Sequence, residues 1–365
     1  MSFENKVGKM RDIYQRLGSN TSERTVNLAR MIRDLLQAKK GEEPRMKPED
    51  FSIQEIYQAV HSSAFPVITG TLLSSKMIAA YQLAPTIGDT LVDKFTSKLK
   101  TDTIPGMAPI GTMENVYEGG PYKHTESMEE KWVEIKGQKY GKILDITEEM
   151  LMYDQTGLVL RQAGQMGESA AMFREKLIMN TIQDITNYKA WYPGVSGTAT
   201  QTDLYQNATS DPHSQDNLIT NALVNHTDIN AAILLFAALV DERGDPIVIG
   251  PKVLLVPNSL LMAANMIYKS SVLIGGANSQ PNPYAGVFKP VTSPFLDAQS
   301  TIIWYLGDFK RQFLWKEVIP LQVQYRGGDN EAAWERDIKA QYKVRFFGQC
   351  RATDYVYVVK STGAV

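Results

Sequence analysis

The chain has 365 residues, 43% of them hydrophobic and 21% charged, which at ~150 residues per domain is material for two or three packed domains and not for a disordered chain. Its 38 Lys+Arg against 40 Asp+Glu leave a formal charge of -2, which argues against a surface devoted wholly to nucleic acid while allowing a local basic patch. A single cysteine, Cys350, excludes an intrachain disulfide and a cysteine zinc site, and the 4 histidines show no helical metal-ligand spacing, so no metal or cofactor is expected.

The opening MSFENKVGKM is polar and charged, without a secretory pattern. The longest apolar run, from Ala231 to Val240, is half of the ~18 to 20 residues that a bilayer span needs. These features predict a soluble protein made in a reducing compartment, with no membrane partner. Residues 1–50 carry 11 Lys/Arg against 8 Asp/Glu, a local +3 that leaves -5 for the rest of the chain. After the cap-like run Ser19 to Ser22, Leu28, Ile32, Leu35 and Leu36 recur at helical spacing, and the helix is expected to end near Gly41. Its apolar stripe is narrow, so it needs a partner, either its own chain or another. Pro44 and Pro48 mark a linker, and a short helix is expected over 52–60.

Between Thr101 and Lys142 the texture changes. Pro105, Gly106, Pro109, Gly111, Gly119, Gly120 and Pro121 punctuate two extended runs, the second (131–136) alternating imperfectly at period two. This predicts a long, polar, two-stranded excursion with too little apolar surface to bury itself, which a neighbouring subunit is expected to stabilise. Asp145 to Glu149 then opens the strongest helical signal of the chain. Met166, Ala170, Phe173 and Leu177 mark one face, and a helix over 156–188 would be ~50 Å long, with Gly157, Gly164 and Gly167 inviting a bend. Residues 190–215 read as loop, 216–241 as helix and Val253 to Val256 as a buried strand. Pro257 to Ser259 caps a helix that runs to Lys269, and 271–290 is Gly-, Pro- and Asn-rich. Strands are expected at 302–306, 318–325, 340–347 and 355–360, so the element order indicates α+β.

Motifs for chemistry fail one by one. Gly137 to Ile143 is one residue short of a phosphate loop and lacks its hydroxyl, and Gly194 to Thr198 lacks the last glycine of a nucleophile elbow. The Glu129-Glu130 and Glu148-Glu149 pairs are neighbours pointing different ways, better suited to capping than to acid/base work. Asp241 to Asp245 lacks the alternating oxygens of a calcium loop, His226 suits a helix start, and Cys350 suits an inert buried thiol. No catalytic set remains, and the chain is not expected to be an enzyme.

A glycine-punctuated hairpin, a very long helix, an α/β lobe and closing strands, in that order, resemble the major capsid proteins of tailed double-stranded DNA bacteriophages, the HK-97-like fold. The residues that carry the resemblance are Val116 to Gly120, Trp132 to Glu134, Ile146 to Asp154, Asp241 to Ile247, Leu254 to Pro257, Asn282 to Gly286, Val291 to Asp297, Trp304 to Leu306, Lys343 to Gly348 and Asp354-Tyr355. The resemblance implies a helical extension over 1–50, an N-arm and the start of a peripheral domain over 51–104, and an extended loop over 105–145. It further implies a spine helix and peripheral domain over 146–215, an axial domain over 216–310 and closing strands over 311–365. Pentamers and hexamers would build an icosahedral virion shell in the host cytoplasm, with portal, scaffold or decoration proteins as partners and non-specific contact to packaged DNA. Inter-subunit contacts are expected at Trp132, Tyr117, Glu118, Leu28, Ile32, Leu35, Gly275 and Pro281. An encapsulin-like compartment, a phage accessory protein and a soluble hydrolase are the alternatives.

Overall fold

The computed structural model describes residues 65–107, 115–120, 122, 124, 129–152, 158–185, 190–193, 199–207, 216–239, 246–272, 280–327 and 335–363. The helices expected in 21–41 (with Leu28, Ile32 and Leu35) and 52–60, the Asp241 to Asp245 turn and Gly275 lie outside them.

The first described element is helix α1 (Phe65–Leu83), followed by the short α2 (Gly88–Leu91) and strands β1 (Asp93–Thr96), β2 (Thr101–Met107), β3 (Glu129–Lys136) and β4 (Gln138–Thr147). Next come α3 (Glu148–Met152), the long α4 (Leu158–Ile182), β5 (Ala190–Pro193), β6 (Ala199–Thr202), β7 (Leu218–Ile219) and α5 (His226–Ala238). Then follow β8 (Val253–Val256), a 3-10 turn (Asn258–Leu260), α6 (Leu261–Lys269), β9 (Lys289–Thr292), α7 (Pro294–Asp297), β10 (Trp304–Gly307) and α8 (Phe309–Gln312). Strands β11 (Phe313–Gly327), β12 (Ile338–Ala352) and β13 (Val358–Ser361) close the chain. The sheets have strand orders β1-β11-β12-β4, β7-β13-β10-β8-β9 and β2-β3-β5-β6, a mixed α+β fold.

Three sequence readings need correction. Asp145 to Thr147 ends β4 instead of opening the long helix. The Thr147 hydroxyl accepts the Met150 N–H at 3.3 Å over short α3, and the long helix starts afresh at Leu158. It then runs without a break to Ile182, and Gly167 lets α1 approach closely: a Cβ there would collide with the Met77 carbonyl of α1. The helix expected from 216 begins at His226. Asn225 and Asp228 form a reciprocal capping box, while Leu218 and Ile219 pair in parallel with β13. Finally, 190–215 is not all loop, since β5 and β6 form a hairpin within it.

Two compact units emerge. One holds the described residues through Ala84 with Gly141–Ala171 and Leu321–Arg345, and its core is Leu72, Leu73, Met77, Ile146, Val159, Ala163, Ala340, Tyr342 and Val344. The other comprises Pro85–Tyr140, Met172–Pro320 and the chain from Phe346 onward, in their described residues, and contains both the five-stranded sheet and the hairpin sheet. In the five-stranded sheet β10 pairs antiparallel with β13 and β8, and all four of its residues are buried. Buried Asn217 ties β7 into place: its side chain donates to the Leu204 and Tyr355 carbonyls at 2.8 and 2.9 Å and accepts from the Gln206 N–H. Cys350 is buried in this unit, and burial pushes its thiol up to about 12, consistent with an inert core group. Among the described residues, no helix is long and apolar enough to cross a membrane.

Candidate assembly surface

The hairpin of β2 and β3 is rooted beside β11. Strand register runs from Thr101↔Lys136 to Gly106↔Lys131, with an irregularity at Gly106/Met107. Val133 and Ile135 are buried, while Glu134 and Lys136 face solvent, which is the alternation of a half-buried strand. On the far side, β3 meets β5 at Trp132↔Trp191, so the chain's own second hairpin adds to the sheet on that edge. The excursion expected as two-stranded is thus part of a four-stranded sheet, past the two-stranded state that is marginal in water. The outer edge of β2 carries Pro105, which has no N–H to offer an intruding strand.

Beneath the root lies Lys316 of β11, fully buried. Its ammonium sits 2.6 Å from Asp102 Oδ2, 2.8 Å from the Leu99 carbonyl and 3.3 Å from the Ile135 carbonyl, with the Lys100 carbonyl more distant at 3.5 Å. The other carboxylate oxygen of Asp102 accepts the Ser97 hydroxyl at 2.9 Å. Hydrogen bonding to the Lys316 ammonium, followed by the bond from Ser97, outweighs desolvation and holds the Asp102 carboxyl below its ordinary value. Sequence reasoning missed this pair. The available signal was parity: Lys316 shares a strand face with Leu314 and Val318, so a charge stands in an apolar row.

A second buried charge holds the helix start at α2. Glu175 of α4 accepts the N–H groups of Gly88 at 2.6 Å and Ile87 at 3.2 Å and the Ser293 hydroxyl at 3.2 Å. Burial nevertheless pushes its carboxyl up from the usual range. The neighbouring Arg174 pairs with Asp89 at 2.7 Å and lies over the Trp315 ring at 4.8 Å.

The sequence-expected contact residues fall on separate elements. Tyr117 and Glu118 share a turn on the connection between β2 and β3, closed by the Gly120 N–H donating to the Tyr117 carbonyl at 2.8 Å, with Gly119 at φ +80. Tyr117 is 83% exposed and nearby Tyr122 82%. Trp132 stands in β3 opposite Pro105 and Trp191. Pro281 is exposed and bridges to Val272 beyond α6, where Asn282 donates to the Ile267 and Ser270 carbonyls at 2.7 and 3.0 Å. The structure therefore brings Tyr117 and Glu118 together and leaves Pro281 on the lobe of the five-stranded sheet.

A sequence profile described as phage capsid protein matches residues 130–361. No curated protein matches the chain. Among solved structures, a virus-like particle from Pyrococcus furiosus aligns with 80% of this chain and 98% of its own, at 10% identity and TM-score 0.47. The procapsid of bacteriophage JBD30 aligns over 83% and 76%, at 12% identity and TM-score 0.44. Mycobacterium phage Adephagia aligns over 77% and 90%, at 13% identity and TM-score 0.48.

Proposed function

Because the chain belongs to the phage capsid protein family, a family of shell subunits and not of enzymes, we propose that it is the major head subunit, assembling with copies of itself as pentamers and hexamers into an icosahedral shell around double-stranded DNA. In this reading the fold is HK-97-like: the hairpin of β2 and β3 is the extended loop, α4 the spine helix and the five-stranded sheet the core of the axial domain. The observation that carries it is the hairpin. Its connection carries two tyrosines more than four-fifths exposed, Tyr117 in a turn and Tyr122 beyond it. Exposed aromatics at a loop tip suit burial against a second protein surface.

Tyr117, Glu118 and Trp132 would then contribute to the contact across subunits, with Pro281 and Gly275 near a capsomer axis. The segment of Leu28, Ile32 and Leu35 would dock on protein, while Lys39, Lys40, Arg45 and Lys47 touch DNA through salt-sensitive, sequence-independent attraction. Electron microscopy and light scattering of the purified full chain test the reading. Closed particles of uniform diameter, formed alone or with a co-expressed phage partner, are expected. A monomer at every salt concentration and with every such partner would refute it.

A further inference from the structure

A lysine on a central strand ordinarily carries its charge to water along its flexible stem. Lys316 does the opposite: its ammonium pairs with Asp102 Oδ2 and donates to the Leu99 and Ile135 carbonyls. These oxygens belong to the segment entering β2, to β2 itself and to the end of β3. One nitrogen on β11 is thus tied to both legs of the hairpin. The approach is close on the backbone side as well, since a Cβ on Gly137 would stand 2.8 Å from Val318 Cγ2. Ser97 adds a brace: its N–H donates to the Glu317 carbonyl at 3.2 Å, and its hydroxyl holds the second Asp102 oxygen.

We propose that Lys316 and Asp102 form a positioning latch that sets the direction in which the β2–β3 hairpin leaves β11, so that the Tyr117 turn meets a second copy of the chain in one orientation. This rests on the assembly reading above. Attachment at three points around one nitrogen fixes the plane of the hairpin root, which a single surface ion pair between long side chains would not do. A purely stabilising role for the pair makes a different forecast, because buried ion pairs can be replaced by apolar residues of similar volume with little loss of stability.

The test uses the full chain with Lys316→Met and Asp102→Leu combined. Far-UV circular dichroism and thermal melting should match the parent. Amide hydrogen exchange in 101–107 and 131–136 should rise at least tenfold, and the yield of closed, uniform particles should fall at least tenfold. The swapped pair, Lys316→Asp with Asp102→Lys, should not restore particles, because a carboxylate at 316 would face the Leu99 and Ile135 carbonyls. Should the apolar pair fail to fold, Ser97→Ala, which removes only the brace on Asp102 and leaves no buried charge unpaired, is expected to shift exchange and particle yield in the same directions. Parental exchange rates, or parental particle yield and diameter, in a folded variant would overturn the latch and leave the assembly reading intact. A parent chain that forms no particles would overturn both.

Discussion

In the five-stranded sheet every residue of β10 is buried, with Trp304 and Leu306 on one face packed among Leu254, Val256, Phe236 and Phe288. In the hairpin sheet the described burial in β3 is confined to Val133 and Ile135 near the root, and the described residues of the connection beyond are exposed apart from half-buried Val116 and Gly120. The first sheet is held by apolar area taken from water, the second by backbone ladders, a buried ion pair and a neighbouring hairpin. The two therefore differ in what a substitution does. A change in the lobe core should cost folding free energy, whereas a change along the hairpin should leave folding intact and alter what the subunit meets.

The largest expected effect lies in the lobe. Trp304→Ala removes a fully buried indole and its hydrogen bond to the Asn221 carbonyl, and should cost about 3 to 5 kcal/mol in equilibrium urea unfolding. A cost below about 1 kcal/mol would break the comparison, since the lobe would then not be the apolar anchor of its unit.

A matched pair of glycines sharpens it. A Cβ at Gly307 would collide with the Tyr357 carbonyl and stand 2.7 Å from Val358 Cα, both rigid backbone atoms. Gly307→Ala should cost about 1 to 3 kcal/mol, measured as the change in melting temperature. At Gly137 the obstacle is a methyl group of Val318, which can rotate or shift, so Gly137→Ala should cost less. The reverse order would show that the hairpin root is the stiffer of the two places.

The same contrast explains what was legible in the sequence. Val253 to Val256 is a run of four apolar β-formers between turn residues, and the strand has those bounds in the structure. Apolar area decides such an element, and apolar area is visible residue by residue. The β5 and β6 hairpin was illegible because its strands are short and its pairing with β3 is set by backbone register at Trp132↔Trp191, to which periodicity is blind. The start of the long helix was misplaced because Asp145 to Glu149 serves a strand end and a short helix equally well. Lys316 and Asp102 were missed for another reason: the partners are far apart in sequence, and a lysine beside Glu317 reads as a solvated pair until the strand faces are assigned.

Two carboxylates, half-buried Asp102 and buried Glu175, should respond to pH in opposite senses. Asp102 is held below the usual range by its hydrogen bond from Lys316, so the stability it contributes is present above the unfolded value and is lost as pH falls through the lowered folded value. Glu175 is raised by burial, so its contribution is full below the unfolded value and is lost as pH rises through the raised one. Glu175→Gln keeps an acceptor for the Gly88 N–H and removes the buried charge. It should raise stability at pH 7 by less than ~1 kcal/mol and leave it unchanged or lower near pH 4. Thermal melts across pH 2 to 8 measure both slopes, and a Glu175→Gln variant less stable than the parent at pH 7 would mean that the charge-assisted bonds outweigh desolvation there.

The smallest effect on folding is expected at the tip. Tyr117 is 83% exposed, and its part in the turn is its carbonyl, which accepts the Gly120 N–H whatever the side chain. Tyr117→Ser should therefore shift subunit stability by no more than ~0.5 kcal/mol. If the side chain anchors the hairpin on a second copy, the variant should still lose particle yield or uniformity, because an interface aromatic concentrates binding energy in a small area. Trp304→Ala and Tyr117→Ser then form a crossed pair. The first lowers the melting temperature in the isolated subunit, and the second lowers assembly without moving the melt. A Tyr117→Ser variant that melts early would place the tyrosine in an intrachain contact, and one that assembles normally would move the subunit contact away from this turn.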